Sequence, residues 1–211
     1  EERIVENTDD STHTGVYDTR NQLNGIYILL ISNQRGWLYY SPAIGIGLIG
    51  LYIGMRKKEH VAVSLAISVI SICIVTYASF GDPWGGWSFG PRYLIPATAA
   101  AMIGVGSAID RFRRNYLFIV LTILSIIYSI AINAIGALTT AAIPPKVEAI
   151  HFSQKIPYTY EYSFQLADRN MTSSLFYNAY AYIHMSFWDY AIGYIVAIAM
   201  LVLVTYSLGL I

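Results

Sequence analysis

The stretch "YLFIVLTILSIIYSIAINAIGAL", residues 116–138, decides the fold class because it contains no charged side chain. A helix needs about 20 mostly apolar residues to cross the hydrocarbon core of a bilayer. Asn115, directly before this run, belongs to the residue types that cap helix N-termini. Residues 116–138 are therefore predicted to form a membrane-spanning helix.

Four more apolar stretches approach or meet the same length. They are Trp37–Met55, His60–Phe80, Tyr93–Ile109, the shortest, and Tyr190–Ile211. Ser41-Pro42 provides an N-cap followed by proline at a first helical position, and Ser186 and Asp189 have capping-box spacing. Residues 21–34 hold a shorter apolar run that suits an interfacial or re-entrant helix. The predicted fold is an all-α integral membrane bundle of about five transmembrane helices with external interfacial helices.

Composition agrees with this fold and excludes several function classes. The chain is 55% hydrophobic and 12% charged, whereas soluble domains carry roughly 25% charged residues. The formal net charge of +0 gives no indication of nucleic-acid binding, and the lone Cys73 rules out a disulfide framework. The polar start of the chain is not a signal peptide. We expect the chain to be a fragment of a longer polypeptide.

Positive charge between the spans predicts the orientation. Two short loops hold six cations, Arg56, Lys57, Lys58, Arg111, Arg113 and Arg114, against two acids, Glu59 and Asp110. That leaves seven of the 13 Lys and Arg but eleven of the 13 Asp and Glu for the other segments. Because cytoplasmic loops are enriched in Lys and Arg, both basic loops are predicted to be cytoplasmic.

This orientation divides the chain into four parts. Residues 1–36 form an external polar segment with an interfacial helix, and residues 37–138 form a four-span membrane region. Residues 139–189 form an external aromatic-rich segment, and residues 190–211 form the final transmembrane helix. The N-terminus and the loop at 81–92 are then outside, and the C-terminus is cytoplasmic. Asn170-Met171-Thr172 is an N-glycosylation sequon on the side that is predicted to be external.

The external loop at 81–92 combines residues that suit an anionic ligand. Arg92 lies at the outer end of a span, and its planar guanidinium can bind a phosphate with two hydrogen bonds. Glycines let the backbone approach a ligand closely, and Trp84 and Trp87 offer surfaces for a sugar or a prenyl chain. The alternative is an interfacial aromatic belt with an arginine that snorkels to lipid headgroups, and composition alone favours that alternative.

Two segments also resemble a known family. "NQRGWLYYSP", residues 33–42, and "WGGWSFGPRYLIP", residues 84–96, resemble the C-terminal half of membrane glycosyltransferases of the GT-C superfamily. The most similar group is related to protein O-mannosyltransferases, family 39. "IPYTYEYSFQL", residues 156–166, resembles a segment that follows in that group. The resemblance covers residues 21–170 loosely.

The resemblance implies an enzyme that takes a sugar from a polyprenyl-phosphate donor on the outer membrane face. Arg92 would bind the carrier phosphate, and Arg35 would add positive charge at the site. Trp84 and Trp87 would line the space for the carrier or the sugar, with Tyr93 beside them. The family carries its acidic catalytic residue in an earlier external loop, which this chain lacks. The catalytic base is therefore expected to come from outside this chain, from an N-terminal half or other membrane subunits.

Asp82, the carboxylate of the motif loop, leaves several roles open. It is placed to orient Arg92, to contact a sugar hydroxyl or to bind a divalent metal, and a loop-capping role without chemistry is favoured. The four histidines are scattered, without the spacing of a helical metal-binding motif. A non-catalytic accessory subunit of a membrane complex is the main alternative function. A transporter ranks third, because no span carries a convincing charged residue at mid-membrane depth.

Overall fold

A computed structural model of the chain describes residues 22–56, 60–153 and 155–209. Within these ranges the chain forms helices and no strands. Several predicted parts lie outside the described residues: residues 1–21 of the external polar segment at 1–36, Lys57, Lys58 and Glu59 of the first basic loop, and the last two residues of the final span.

Helices in the described ranges are labelled in chain order. Their bounds are α1 Gln22–Leu30, α2 Trp37–Tyr40, α3 Ala43–Arg56, α4 His60–Ala78, α5 Ile95–Phe112, α6 Tyr116–Leu138, α7 Lys146–Ala149, α8 Glu161–Asp168 and α9 Phe187–Ser207. A 3-10 turn at Arg92–Leu94 leads directly into α5, and a π-helical turn covers Tyr177–Ala181.

Four of these segments are long and apolar enough to cross a membrane. They are Val61–Ala78, Arg92–Phe112, Tyr116–Leu138 and Phe187–Ser207. The prediction of an all-α, multi-pass membrane bundle is confirmed. The stretch that looked shortest in the sequence gains length at both ends, because the 3-10 turn precedes α5 and the helix continues to Phe112.

The predicted span Trp37–Met55 requires a correction, because a break separates it into α2 and α3. Ser41 follows α2 with φ −146° and ψ 73°, which lies outside the helical region that a residue before proline avoids. α3 then begins directly after Pro42 and has 14 residues, which is about 21 Å at 1.5 Å per residue. It is shorter than the hydrocarbon core of about 30 Å, so α3 is not one of the four long helices.

Two helix starts are capped as the sequence predicts. The Asn115 side chain accepts a hydrogen bond from the Phe118 N–H at 3.2 Å at the start of α6. The Ser186 hydroxyl accepts one from the Asp189 N–H at 3.3 Å and donates to its carboxylate at 2.7 Å. α9 consequently starts at Phe187, slightly before the predicted Tyr190.

Glycines bring α3 and α5 into direct backbone contact. A Cβ atom on Gly50 would lie 1.7 Å from the Gly104 carbonyl oxygen, and one on Gly47 would lie 2.4 Å from the Ala101 carbonyl oxygen. Only residues without a side chain allow helices to approach this closely. Since the contacts advance in the same direction along both helices, α3 and α5 are parallel.

The parallel packing sets which loops share an end of the bundle. Arg56 at the end of α3 lies at the same end as residues 111–114, which follow α5. The motif loop at 81–92 lies at the opposite end, where α1 packs its Gly25 against the backbone of Ala78. The arginines at the ends of α3 and α5 therefore lie on the same side of the membrane. That this side is the cytoplasmic one stays a prediction.

Gly50→Ala is expected to destabilise the bundle by about 2 kcal/mol, because overpacking a tight contact typically costs 1–3 kcal/mol. Gly106→Ala in α5 is the matched control, since a Cβ atom there meets nothing within 4 Å. Gly106→Ala should be neutral or stabilising, because alanine is the better helix former. Unfolding free energies in detergent micelles measure both variants, and equal stability of the two would contradict the packing described here.

The segment at 139–189 folds into short helical pieces instead of one long helix. α7, α8 and the π-helical turn lie in it, and a small buried cluster joins α8 and the π-helical turn to the start of α9. The cluster consists of Ala167, Tyr177, Ala181, Phe187 and Ala191. Beyond Ala191, α9 has no buried residue among those described.

Candidate functional site

The two motif segments meet at a buried arginine. Arg35 is 1% exposed, and its guanidinium donates to four backbone carbonyl oxygens. Nε donates to Trp84 at 3.1 Å, and Nη1 donates to Gln34 at 2.9 Å. Nη2 donates to Ile143 at 2.8 Å and more weakly to Gly86 at 3.4 Å. Arg35 thus joins the segment before α2, the motif loop and the segment after α6.

Burial sets the electrostatic character of Arg35. Desolvation lowers the pKa of its guanidinium, and the nearby Tyr40 and Asp82 partly offset this effect. Arginine nevertheless stays charged in proteins. Its donors are directed to carbonyl oxygens, so Arg35 stabilises the conformation of the motif loop. It also contributes positive potential from its buried position next to that loop.

The motif loop is shaped by glycines in the left-handed region. Gly85, Gly86 and Gly90 have φ of 71°, 61° and 59°, which residues with a Cβ atom adopt only with strain. A Cβ atom on Gly85 would lie 3.0 Å from Arg92 Nε, and one on Gly90 would lie 3.1 Å from the Tyr40 ring. Two of these glycines therefore make room for side chains of the protein itself.

The two tryptophans of the loop have different surroundings. Trp87 is 47% exposed, its Nε1 donates to the Glu148 carboxylate at 2.5 Å, and Phe152 contacts its ring edge-on at 6.0 Å between centroids. The Trp84 Nε1 atom is buried and has no hydrogen-bond partner among the described residues. Trp87 is the tryptophan that presents a surface outside the loop, with its orientation fixed by α7.

Arg92 is exposed and is supported by an aromatic stack. Its guanidinium carbon lies 5.3 Å from the centroid of the Tyr93 ring. Tyr93 in turn stacks on Tyr77 of α4, with centroids 4.4 Å apart and an interplanar angle of 2°. In the described part of the chain no hydrogen bond or ion pair occupies the Arg92 guanidinium, so its donors are available to a ligand.

Arg92 lines one part of a groove of about 520 Å³ between α5 and α6. The α5 wall includes Ile95 and Ala99, and the α6 wall includes Gly136 and Ala137. A few polar groups interrupt this apolar lining, among them Asn133, whose amide donates to Ser41 Oγ at 3.2 Å. The groove lies at the motif-loop end of two candidate spans. The Arg92 guanidinium and an apolar surface between the spans therefore lie side by side.

Apart from Arg92, the predicted site residues are not among those that line this groove. Asp82 accepts the Gly85 N–H through its backbone carbonyl at 3.2 Å, and its charge acts on Arg35. Asn170 adopts φ 56°, and its side-chain oxygen accepts from the Phe187 N–H at 2.8 Å at the start of α9. Within the described ranges no three His, Cys, Asp or Glu side chains form a group that could hold a metal ion.

Several residues of the site were not predicted. The Ile143 carbonyl accepts from both the Arg35 guanidinium and the Ser88 N–H, and Glu148 fixes Trp87. Tyr160 stacks on Tyr39 and contacts Tyr40 edge-on. A backbone carbonyl has no signature in the sequence, and the aromatic richness of 139–189 did not identify which of its residues pack on the loop.

Comparisons of the chain with protein-family models, with curated proteins and with solved structures found no match. Fold and site together define the class of the protein: a multi-pass, all-α integral membrane protein. At one end of its bundle an exposed arginine lines an apolar groove.

Proposed function

We propose that the chain is the C-terminal membrane portion of a glycosyltransferase that uses a polyprenyl-phosphate-linked sugar donor on the outer membrane face. The observation that carries this proposal is the position of Arg92 in the groove between α5 and α6. A lipid-linked phosphate needs a cation for its headgroup and an apolar channel for its chain. Arg92 and the groove offer both at one end of the bundle.

Each part of the site has a role in this proposal. Arg92 binds the carrier phosphate with its two-pronged guanidinium, and Ile95, Ala99 and Ala137 contact the first prenyl units. Trp87, fixed by Glu148, gives the sugar a flat surface. Arg35 keeps the loop in place from below and adds positive potential without touching the donor.

The reaction is a glycosyl displacement. An acceptor oxygen attacks the anomeric carbon, the bond from that carbon to the phosphate oxygen breaks, and polyprenyl phosphate leaves. A general base takes the proton of the acceptor, and in this proposal the base belongs to a part of the enzyme outside this chain. Arg92 stabilises the charge that develops on the departing phosphate.

The proposal also requires the motif loop to face outward, and thiol labelling tests this. After Cys73→Ala, a cysteine at Ser153 should react with an impermeant reagent applied to intact cells, and one at Arg113 should not. Both positions are exposed, so burial does not decide the result, whereas Ser88 of the loop is only 3% exposed. Labelling at position 113 and protection at position 153 would reverse the orientation.

One observation favours the alternative, a non-catalytic accessory subunit of a membrane complex. After Ala191 no described residue of α9 is buried, and all of them up to Ser207 except Thr205 are exposed. Such a helix suits contact with another membrane chain as well as with lipid. Sugar transfer separates the two functions. The decisive experiment measures transfer from a polyprenyl-phosphate sugar by membranes containing the complete protein with Arg92 intact or replaced.

A further inference from the structure

A second group of arginines lies at the opposite end of the bundle from Arg92. Arg111, Arg113 and Arg114 line a pocket of about 320 Å³ together with Asp110. All three arginines are exposed. The pocket lies at the turn between α5 and α6, and the parallel packing of α3 and α5 brings Arg56 to the same end of the bundle.

We propose that this pocket binds the headgroup of an anionic phospholipid. Three guanidinium groups face one carboxylate in the lining, so the pocket carries an excess of positive charge. The planar fork of arginine matches phosphate oxygens with paired hydrogen bonds. The pocket also adjoins the start of α6, where the helix dipole adds positive potential.

The position of the pocket favours a lipid over a soluble anion. It joins the ends of two candidate spans, Arg92–Phe112 and Tyr116–Leu138, so it lies at the level of the headgroups. Tyr116, 83% exposed, begins α6 two residues after Arg114 and is the type of aromatic residue that is enriched at membrane interfaces. Basic pockets between helix ends at this depth are suited to phospholipid headgroups.

The size and charge of the pocket indicate the kind of headgroup. Its volume of about 320 Å³ is about ten times the roughly 30 Å³ that a water molecule occupies in the liquid. A phosphate and its polar substituent fit into such a space. Because three cations outnumber one acid, a lipid with two phosphate groups should bind more tightly than a lipid with one.

This proposal is independent of sugar transfer, because no residue of the pocket belongs to the groove that contains Arg92. The test uses the purified full-length protein reconstituted in phosphatidylcholine vesicles with a minor fraction of cardiolipin, which has two phosphate groups. After extraction in mild detergent, mass spectrometry counts the lipid molecules retained by each protein. The wild type should retain cardiolipin in preference to phosphatidylcholine.

Replacing Arg111, Arg113 and Arg114 together by glutamine should lower that retention about tenfold, since charge-assisted hydrogen bonds are lost. A variant with lysine at the same three positions keeps the positive charge that orients the chain in the membrane. Its retention of cardiolipin should still fall severalfold, because lysine lacks the planar, two-pronged guanidinium of arginine. The control is a variant with glutamine in place of Lys146, Lys155 and Arg169, which belong to the segment at the other end of the bundle. This variant should retain as much cardiolipin as the wild type.

Three results would overturn the proposal. The first is retention at the wild-type level in the glutamine and lysine variants of the pocket. The second is an equal loss in the control with Lys146, Lys155 and Arg169 replaced, which would indicate a general charge effect. The third is displacement of cardiolipin by an equal concentration of inorganic phosphate, which would make a soluble anion the ligand.

Discussion

Replacement of Arg35 by methionine should destabilise the protein by at least about 3 kcal/mol. The Arg35 side chain donates to carbonyl oxygens of three separate segments. Methionine has a comparable length but no donor, so those oxygens would lose the hydrogen bonds from the charged guanidinium and keep only the contacts from Ser88 and Tyr40. Hydrogen bonds to charged groups contribute about 1.5–3 kcal/mol each, and three of the four contacts are shorter than 3.2 Å. Chemical unfolding in micelles measures the loss.

Two variants test the explanation for Arg35. Arg35→Lys keeps a charge but cannot reach all of the carbonyl groups at once, so its stability should lie between those of Arg35→Met and the wild type. Arg169→Met removes an exposed arginine that follows α8 and should change stability by less than about 0.5 kcal/mol. Wild-type stability of Arg35→Met would show that the buried hydrogen bonds do not hold the motif loop.

Hydrophobic runs predicted most of the fold because the bilayer requires long apolar helices. Residues 116–138 became α6 with the same bounds, since no interruption exists within that run. The run from Trp37 looked equally continuous by hydrophobicity, but Ser41-Pro42 separates α2 from α3. The proline was interpreted as a helix start, which is correct for α3, and the cost of continuing a helix across it was not weighed.

Pairing between helices was less predictable. The close contact between α3 and α5 uses Gly47 and Gly50. The partner of these glycines is the backbone of Ala101 and Gly104, more than 50 residues away in the sequence. Glycine spacing indicates that a helix has a smooth face, but it does not identify the helix that will pack there.

In the candidate site, too, features that depend on neighbouring residues were predictable, whereas features that depend on distant residues were not. The sequence indicated that Arg92 stands where a loop meets a span, and this depends only on neighbouring residues. It also grouped Arg35 with Arg92 as a ligand-binding residue. The structure instead buries Arg35 among carbonyl groups, one of them 108 residues away. The groove depends on α6 packing beside α5, so no single segment of the sequence revealed it.

Arg92→Ala should lower sugar transfer about a hundredfold if Arg92 binds the donor phosphate. Hydrogen bonds to charged groups contribute about 1.5–3 kcal/mol each. The loss of two such bonds at about 1.5 kcal/mol each corresponds to about a hundredfold lower rate. Arg92→Lys should recover only part of this, because a point charge cannot reproduce the two-pronged geometry. An arginine that only snorkels to headgroups would be replaced well by lysine.

The most direct measurement compares initial rates of transfer from a polyprenyl-phosphate sugar. The membranes contain the complete protein at matched expression as wild type, Arg92→Ala, Arg92→Lys or Arg169→Ala, an exposed arginine outside the groove. The account predicts a loss of at least about tenfold for both Arg92 variants, with alanine the more severe, and near wild-type rates for Arg169→Ala. Wild-type transfer by both Arg92 variants would contradict the account and leave the motif loop as an interfacial aromatic belt.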